Sequence, residues 1–161
     1  MTISVGDTLP DATLVTMSET GPATVSLHKH LKGRKVVIFA LPGAFTGTCS
    51  TAHMPSFVRT ADAFRAKGVD EIICLSVNDP FVLKAWGDTT GAAKAGITLL
   101  GDADASLTRA LGMTFSAPQI GLFDRSNRYA VVVENGVVTA ANIDKPGECN
   151  ISTGEALLEA I

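Results

Sequence analysis

Lys35 to Leu41 (KVVIFAL) is an unbroken apolar run of strand length, rich in β-branched residues. A run without polar alternation predicts a strand covered on both faces. Pro42-Gly43-Ala44-Phe45-Thr46-Gly47-Thr48 follows, and its breakers predict a loop. From Cys49 to about Lys67 the apolar positions Ala52, Phe57, Val58, Ala61 and Phe64 recur at mixed spacings of three and four. That predicts a helix, kinked at Pro55 and ended by Gly68. Glu71 to Val77 (EIICLSV) predicts a second buried strand, and Asn78-Asp79-Pro80 caps a helix running to about Trp86. Gly96 to Leu100 reads as a third strand and Asp104 to Leu111 as a short helix. Arg128 to Glu134 and Val137 to Ile143 flank Asn135-Gly136, a strong hairpin signal. Ser152-Thr153-Gly154-Glu155 is a capping-box pattern opening a last helix, Glu155 to Ile161.

Strand-helix-strand-helix followed by a hairpin and a helix predicts an α/β fold. Its mixed sheet is parallel where helices cross over and antiparallel at the hairpin. No linker, repeat or low-complexity stretch interrupts the chain, so residues 1–161 read as one domain. With 161 residues, 46% of them apolar, there is enough material for a full core. Thirteen Lys and Arg against 16 Asp and Glu give a net charge of −3. That balance argues against a general nucleic-acid binder, since no excess of cations exists to displace phosphate counterions. No apolar run approaches the ~18 residues of a membrane-spanning helix. The opening Met1-Thr2-Ile3-Ser4-Val5-Gly6-Asp7 lacks the cationic start and apolar stretch of a signal peptide, so a cytoplasmic location is expected.

Three cysteines, Cys49, Cys74 and Cys149, turn the question to chemistry. They are far apart and form no C-x-x-C, which removes the zinc ribbon and the usual dithiol motif. Each could be no more than a small buried hydrophobe. Cys49 differs by its place: it follows a buried strand and opens a helix. Ligands of α/β folds collect at the carboxyl ends of strands, and a helix head offers free N–H groups and positive potential. A free thiol with a pKa of ~8.5 is only ~3% ionised at neutral pH, and making it mostly thiolate takes ~2.7 kcal/mol. A helix end supplies ~0.3–1 kcal/mol, rising to ~2 when partly buried. A cation or charge-assisted hydrogen bonds must supply the remainder, and an arginine is the side chain suited to it. Thr46, three residues before Cys49, could cap the helix or bond a substrate oxygen.

The spacing P-x-x-x-T-x-x-C, from Pro42 to Cys49, resembles the active-site signature of peroxiredoxins. The longer string PGAFTGTCS, followed by His53 and Pro55, is similar to the type II/type 5 branch. Ile72 to Val82, Lys84-Ala85-Trp86, Arg128-Tyr129 before a valine-rich strand, and Val5-Gly6-Asp7 extend the resemblance over nearly the whole chain. It implies a thioredoxin-like mixed sheet flanked by helices on both faces, and reduction of hydrogen peroxide and organic hydroperoxides. On that resemblance Cys49 is the attacking cysteine, Thr46 orients the peroxide and Pro42 shields the sulfur. Arg128 is the required cation, with Arg125 as a weaker rival, and the Cys49 amide joins the cradle. Cys74 matches the resolving cysteine of plant-like members; its plainer reading is a buried core thiol. A disulfide needs Cα atoms within ~7 Å, so pairing Cys74 with Cys49 would require local unfolding. Cys149, where the family often has Phe, is a loop thiol or a second resolving candidate. Gly47 stands where this branch usually has Pro, which implies a more mobile loop. The resemblance further implies no metal, haem or flavin cofactor, electrons from glutaredoxin with glutathione or from thioredoxin, and a homodimer.

Other side chains were open to several uses. His53 lies at i+4 from Cys49; two ligands make no metal site, so hydrogen bonding or packing is expected. His28 and His30 read as solvated. Phe45, Phe81, Trp86 and Phe123 read as core or interface, with Phe45 and Trp86 the interface candidates and Phe45 also a possible apolar rim. Two rival classes stand beside the enzyme: a redox sensor or chaperone-like module using Cys49 stoichiometrically, and a metal-binding protein using Cys49 and His53.

Overall fold

The three apolar runs lie side by side at the centre of one sheet. In the computed structural model, which describes residues 2–161, the strands are β1 (Thr13–Ser18), β2 (Gly21–Ser26), β3 (Lys35–Ala40), β4 (Glu71–Ser76), β5 (Thr98–Gly101), β8 (Tyr129–Glu134) and β9 (Val137–Ile143). Their order is β2-β1-β5-β4-β3-β8-β9. β3, β4 and β5 run parallel, while β1, β2, β8 and β9 pair antiparallel to their neighbours. β6 (Thr114–Ala117) and β7 (Leu122–Ser126) form a separate two-stranded ribbon.

Side chains alternate across the sheet with period two. Val37, Phe39, Ile72, Cys74, Ala130 and Val132 face a core closed by α2 (Met54–Ala66), α3 (Pro80–Thr90) and α5 (Gly154–Glu159). Val36, Ile38, Ile73, Leu75, Val131 and Val133 face the opposite core, closed by α1 (Leu27–Leu31) and α4 (Ser106–Ala110). Helices thus cover both faces, which is why the central strands carry no polar alternation.

Each central strand lies within about two residues of its predicted span. The chain, however, opens with the β1–β2 hairpin rather than with β3. Its strands mix Thr and Ser with apolar residues and are only half-buried, so their pattern was weak. The ribbon β6–β7 was unread for the same reason. Asp79 caps α3 by accepting from the Val82 amide at 2.9 Å, with Pro80 at the first position, but the helix continues past Trp86 to Thr90. The capping box at 152–155 is corrected: Thr153, not Ser152, caps α5. The Ser152 hydroxyl is drawn away to Asp144 at 2.5 Å. His30 is not solvated; it is half-buried and bonded to Glu71 at 2.6 Å. His28 is exposed, with Nε2 against the Leu9 carbonyl.

Gly154 lets α5 lie on α2. A Cβ there would come within 2.6 Å of the Ser56 carbonyl oxygen, and the Gly154 amide donates to Ser56 Oγ at 2.9 Å. Backbone cannot yield as a side-chain tip would, so Gly154→Ala is expected to cost about 1–3 kcal/mol. The midpoint of thermal unfolding should fall by several degrees. An unchanged midpoint would show that α5 shifts freely and does not brace α2.

Candidate active site

Local sequence dictates the helix that carries Cys49. Gly47 and Thr48 are already helical, and the first amide with a partner four residues back is Ser50, on the Thr46 carbonyl at 3.1 Å. The amides of Gly47, Thr48 and Cys49 are left open at the helix head. Pro55 has no N–H for the Thr51 carbonyl, and its ring crowds that carbonyl. The backbone widens there: the Met54 amide donates to the Cys49 carbonyl five residues back, and Cys49–His53 form a π turn. Such turns recur at functional sites because they re-aim one helical face. Trp86, fully buried, donates from Nε1 to Ser50 Oγ at 2.9 Å and holds this turn to α3. Trp86 is therefore core and is removed as an interface candidate.

The loop before the helix is pinned at three points. Arg125 donates from Nη1 to the Pro42 carbonyl at 3.1 Å. The Ala44 amide donates to Asn78 Oδ1 at 3.0 Å. The Thr46 hydroxyl donates to the Gly43 carbonyl at 2.7 Å, so it does not cap the helix and keeps its lone pairs free to accept. Phe45 sits at φ +61°, an uncommon setting for a bulky side chain, and is 55% exposed. Phe81 and Phe123 are likewise exposed, so none of the three is core.

Sheet register brings the cation. Ala40, the last residue of β3, pairs with Tyr129, the first of β8. Arg128 therefore arrives beside the loop that leaves β3. It donates from Nη2 to Cys49 Sγ at 3.4 Å, from Nη1 to His53 Nδ1 at 3.0 Å, and from Nε to the Glu148 carbonyl at 3.2 Å. Among the described residues no carboxylate forms an ion pair with Arg128. Arg125 braces Pro42 and makes no bond to Cys49.

His53 is fully buried, and Nε2 donates to the Ser152 carbonyl at 2.8 Å. A carbonyl only accepts and a guanidinium only donates, so Nδ1 is the acceptor toward Arg128. Burial first, and the neighbouring Arg128 charge second, push the imidazole pKa down to about 3. Asp144 gathers the following loop: its carboxylate accepts from the amides of Asn150, Ile151 and Ser152 and from the Ser152 hydroxyl. Burial opposes its ionisation, but those hydrogen bonds outweigh it and hold the carboxyl below its ordinary value. The sequence showed a turn around Cys149 but not the bonds this loop makes. Its acceptors for Arg128 and His53 are main-chain carbonyls, which carry no residue signature.

A cavity of about 240 Å³ opens over the site, lined among others by Pro42, Thr46, Phe115, Asn127 and Arg128. Cys49 itself has no exposed surface and lies beneath that lining. Cys74 is fully buried in β4, on the same sheet face as Phe39; burial first and the nearby Cys49 second push its thiol well up. Cys149 is half-buried in the loop beyond β9, and desolvation is the main cause of its raised pKa, with Arg128 opposing. All three cysteines are free. A larger cavity of about 380 Å³, between α3 and β5, has no cysteine or histidine in its wall.

A cysteine at a helix head, facing a guanidinium that no carboxylate among the described residues pairs with, is the arrangement of a thiol redox protein, and residues 4–158 match the Redoxin family model. The chain belongs to that family. Its relatives narrow the class. It is 47% identical to Peroxiredoxin-2E-2, chloroplastic, of Oryza sativa subsp. japonica, over 99% of this chain and 73% of that protein. It is 43% identical to Peroxiredoxin-2D of Arabidopsis thaliana, over 99% and 98%. Reduced Prx3 of Vibrio vulnificus, solved in complex with H2O2, superposes with a TM-score of 0.93 at 45% identity, covering 98% of each chain. The protein is a peroxiredoxin, an enzyme that reduces peroxides at the expense of thiols.

The buried imidazole leaves a mark on acid stability. In the unfolded chain a histidine takes up its proton near pH 6.5, whereas folded His53 resists until about pH 3. Between these values the unfolded state binds more protons, so stability falls as pH is lowered through that window, by a few kcal/mol in all. Asp144 adds a further loss below about pH 4, its ordinary range, because its folded pKa is depressed. Urea unfolding at pH 7, 5 and 4 should show the decline, and His53→Asn should flatten it. An equal slope in the variant would mean that another group carries it.

Proposed function

We propose that Cys49 is the nucleophile and that Arg128, Thr46 and Pro42 form its reaction cradle. The observation that carries this reading is the 3.4 Å contact of Arg128 Nη2 with Cys49 Sγ, in a setting where no carboxylate competes for the guanidinium. The Cys49 thiolate attacks the terminal oxygen of the peroxide. An S–O bond forms, the O–O bond breaks, and the departing alkoxide or hydroxide takes a proton to leave as alcohol or water. Sulfur is oxidised to sulfenic acid and the peroxide is reduced by two electrons. Arg128 and the open amides at the helix head face the negative charge as it moves from sulfur to oxygen. Thr46 Oγ1, whose proton is held by the Gly43 carbonyl, accepts the hydroperoxide O–H and so aligns the O–O bond. Pro42 keeps bulk water off the sulfur. This chemistry needs no metal, haem or flavin, because the peroxide itself is the oxidant.

An outside thiol is the favoured resolver. The attacking species in disulfide exchange is a thiolate, and burial raises both Cys74 and Cys149 away from that form. Cys74 is also locked into β4 opposite Phe39. The first thiol condenses with the sulfenic acid and releases water; a second thiol reduces the mixed disulfide. Glutathione with glutaredoxin, or thioredoxin, is the proposed donor, and the free thiols fit a cytoplasmic setting. Phe45, Phe81 and Phe123, each more than half exposed, support a homodimer.

Steady-state turnover of hydrogen peroxide with a regenerating thiol tests the reading. Cys49→Ser should abolish turnover, and Arg128→Ala should lower kcat/KM by ~100- to 1,000-fold. Cys74→Ser and Cys149→Ser should both turn over with glutathione present. After one equivalent of peroxide, mass analysis should find glutathione on Cys49. Continued turnover by Cys49→Ser would overturn the assignment, an internal disulfide would overturn the outside resolver, and a single burst would make the protein a stoichiometric sensor.

A further inference from the structure

We infer that His53 is a positioning residue for Arg128: it couples the guanidinium to the Asp144-bound loop and so aims Nη2 at the Cys49 sulfur. This inference rests on the reading of Cys49 as nucleophile.

The connections form a closed ring. Arg128 Nη1 donates to His53 Nδ1 at 3.0 Å, and His53 Nε2 donates to the Ser152 carbonyl at 2.8 Å. Ser152 donates from its amide, at 3.0 Å, and from its hydroxyl to Asp144 Oδ2. The Asp144 amide returns to the Arg128 carbonyl at 3.0 Å. A planar guanidinium with Nε fixed on the Glu148 carbonyl and Nη1 fixed on His53 has one arm left, and that arm points at Cys49. The imidazole cannot swing away. Phe39 and Phe57 stand edge-on to it, with ring centroids 5.3 Å and 5.6 Å away at 61° and 60°.

The same geometry excludes the other uses of this histidine. Its Nδ1 faces Arg128 and its Nε2 faces the Ser152 carbonyl, so neither nitrogen is open to a peroxide. Both ring nitrogens are already engaged, which leaves neither for proton transfer nor for a metal. What position 53 must offer is a neutral acceptor. A carboxylate there would pair with Arg128 and take up the charge that faces the sulfur.

Stopped-flow reaction of the reduced enzyme with hydrogen peroxide, followed by reaction of the oxidised enzyme with glutathione, separates the two half-reactions. His53→Leu fills the space without an acceptor and should slow the peroxide step ~10- to 100-fold while leaving the glutathione step unchanged. His53→Asn, which places an amide oxygen near the Nδ1 position, should recover most of that loss. His53→Gln, with a donor toward Ser152 but no acceptor near Nδ1, should stay slow; it serves if the leucine variant does not fold. Folded His53→Leu or His53→Gln reacting at the wild-type rate would overturn the inference, as would His53→Asn no faster than His53→Gln. Failure of the underlying reading looks different: Cys49→Ser would then still consume peroxide, whatever stands at position 53.

Discussion

One cation held against one sulfur organises this molecule. Arg128 and Cys49 are 79 residues apart in the chain and 3.4 Å apart in space. At an effective dielectric of about 20, two unit charges at that distance attract by about 5 kcal/mol before their desolvation is subtracted. On the proposed reading, a helix head alone falls short of the ~2.7 kcal/mol that a mostly ionised thiol requires, and the guanidinium is the group placed to supply the rest. Its charge is effective because its other partners are a carbonyl oxygen and an imidazole that stays neutral down to about pH 3. An acidic partner would have fixed the arginine equally well and spent its field.

The sheet delivers that contact through antiparallel pairing at one edge of a parallel core. β3 ends where β8 begins, because Ala40 pairs with Tyr129. The residue after β3 and the residue before β8 thus meet at one rim of the sheet. Ligands of open α/β sheets bind beyond the carboxyl ends of the parallel strands, and an antiparallel neighbour contributes its amino end to the same place. A strand slip of one residue would turn Arg128 to the other face and reverse the packing of every valine in β8.

Legibility followed the kind of signal each part carries. β3, β4 and β8 were readable because strands covered on both faces leave no choice of residue but apolar ones. The Pro42–Cys49 segment was readable because strand, breaker and helix head follow one another in the chain. Composition and spacing asked for an arginine at Cys49 but gave no means of choosing between Arg125 and Arg128; the choice came from the resemblance, and the geometry agrees with it. The hairpin β1–β2 was missed because half-buried edge strands tolerate Thr and Ser. Spacing left Thr46 open as a cap or a substrate ligand, since a hydroxyl that accepts from an amide looks the same in sequence as one that donates to a carbonyl; the bond to Gly43 removes the first. The role of the 144–152 loop was invisible for a deeper reason: backbone carbonyls do its work, and any sequence that turns there would present them.

Burial sets two demands on Cys49 that pull in opposite directions. Shielding the sulfur strengthens the pull of Arg128 on any charge it carries, yet on the proposed reading an outside thiol must reach that sulfur once it is oxidised. Phe45 is held at φ +61°, and Cys49–His53 form a π turn rather than an α-helical one. Gly47 occupies the first helical position, where proline is favoured, and nothing lies within 4 Å of a Cβ built there. With glycine the opened state keeps more conformational freedom, which lowers the cost of opening by up to about 1 kcal/mol relative to a stiffer residue. On the proposed reading, oxidation removes the charge on sulfur, and with it the charge–charge attraction to Arg128. The proposed activating attraction is thus weakest in the product, at the step where that reading requires access to the sulfur.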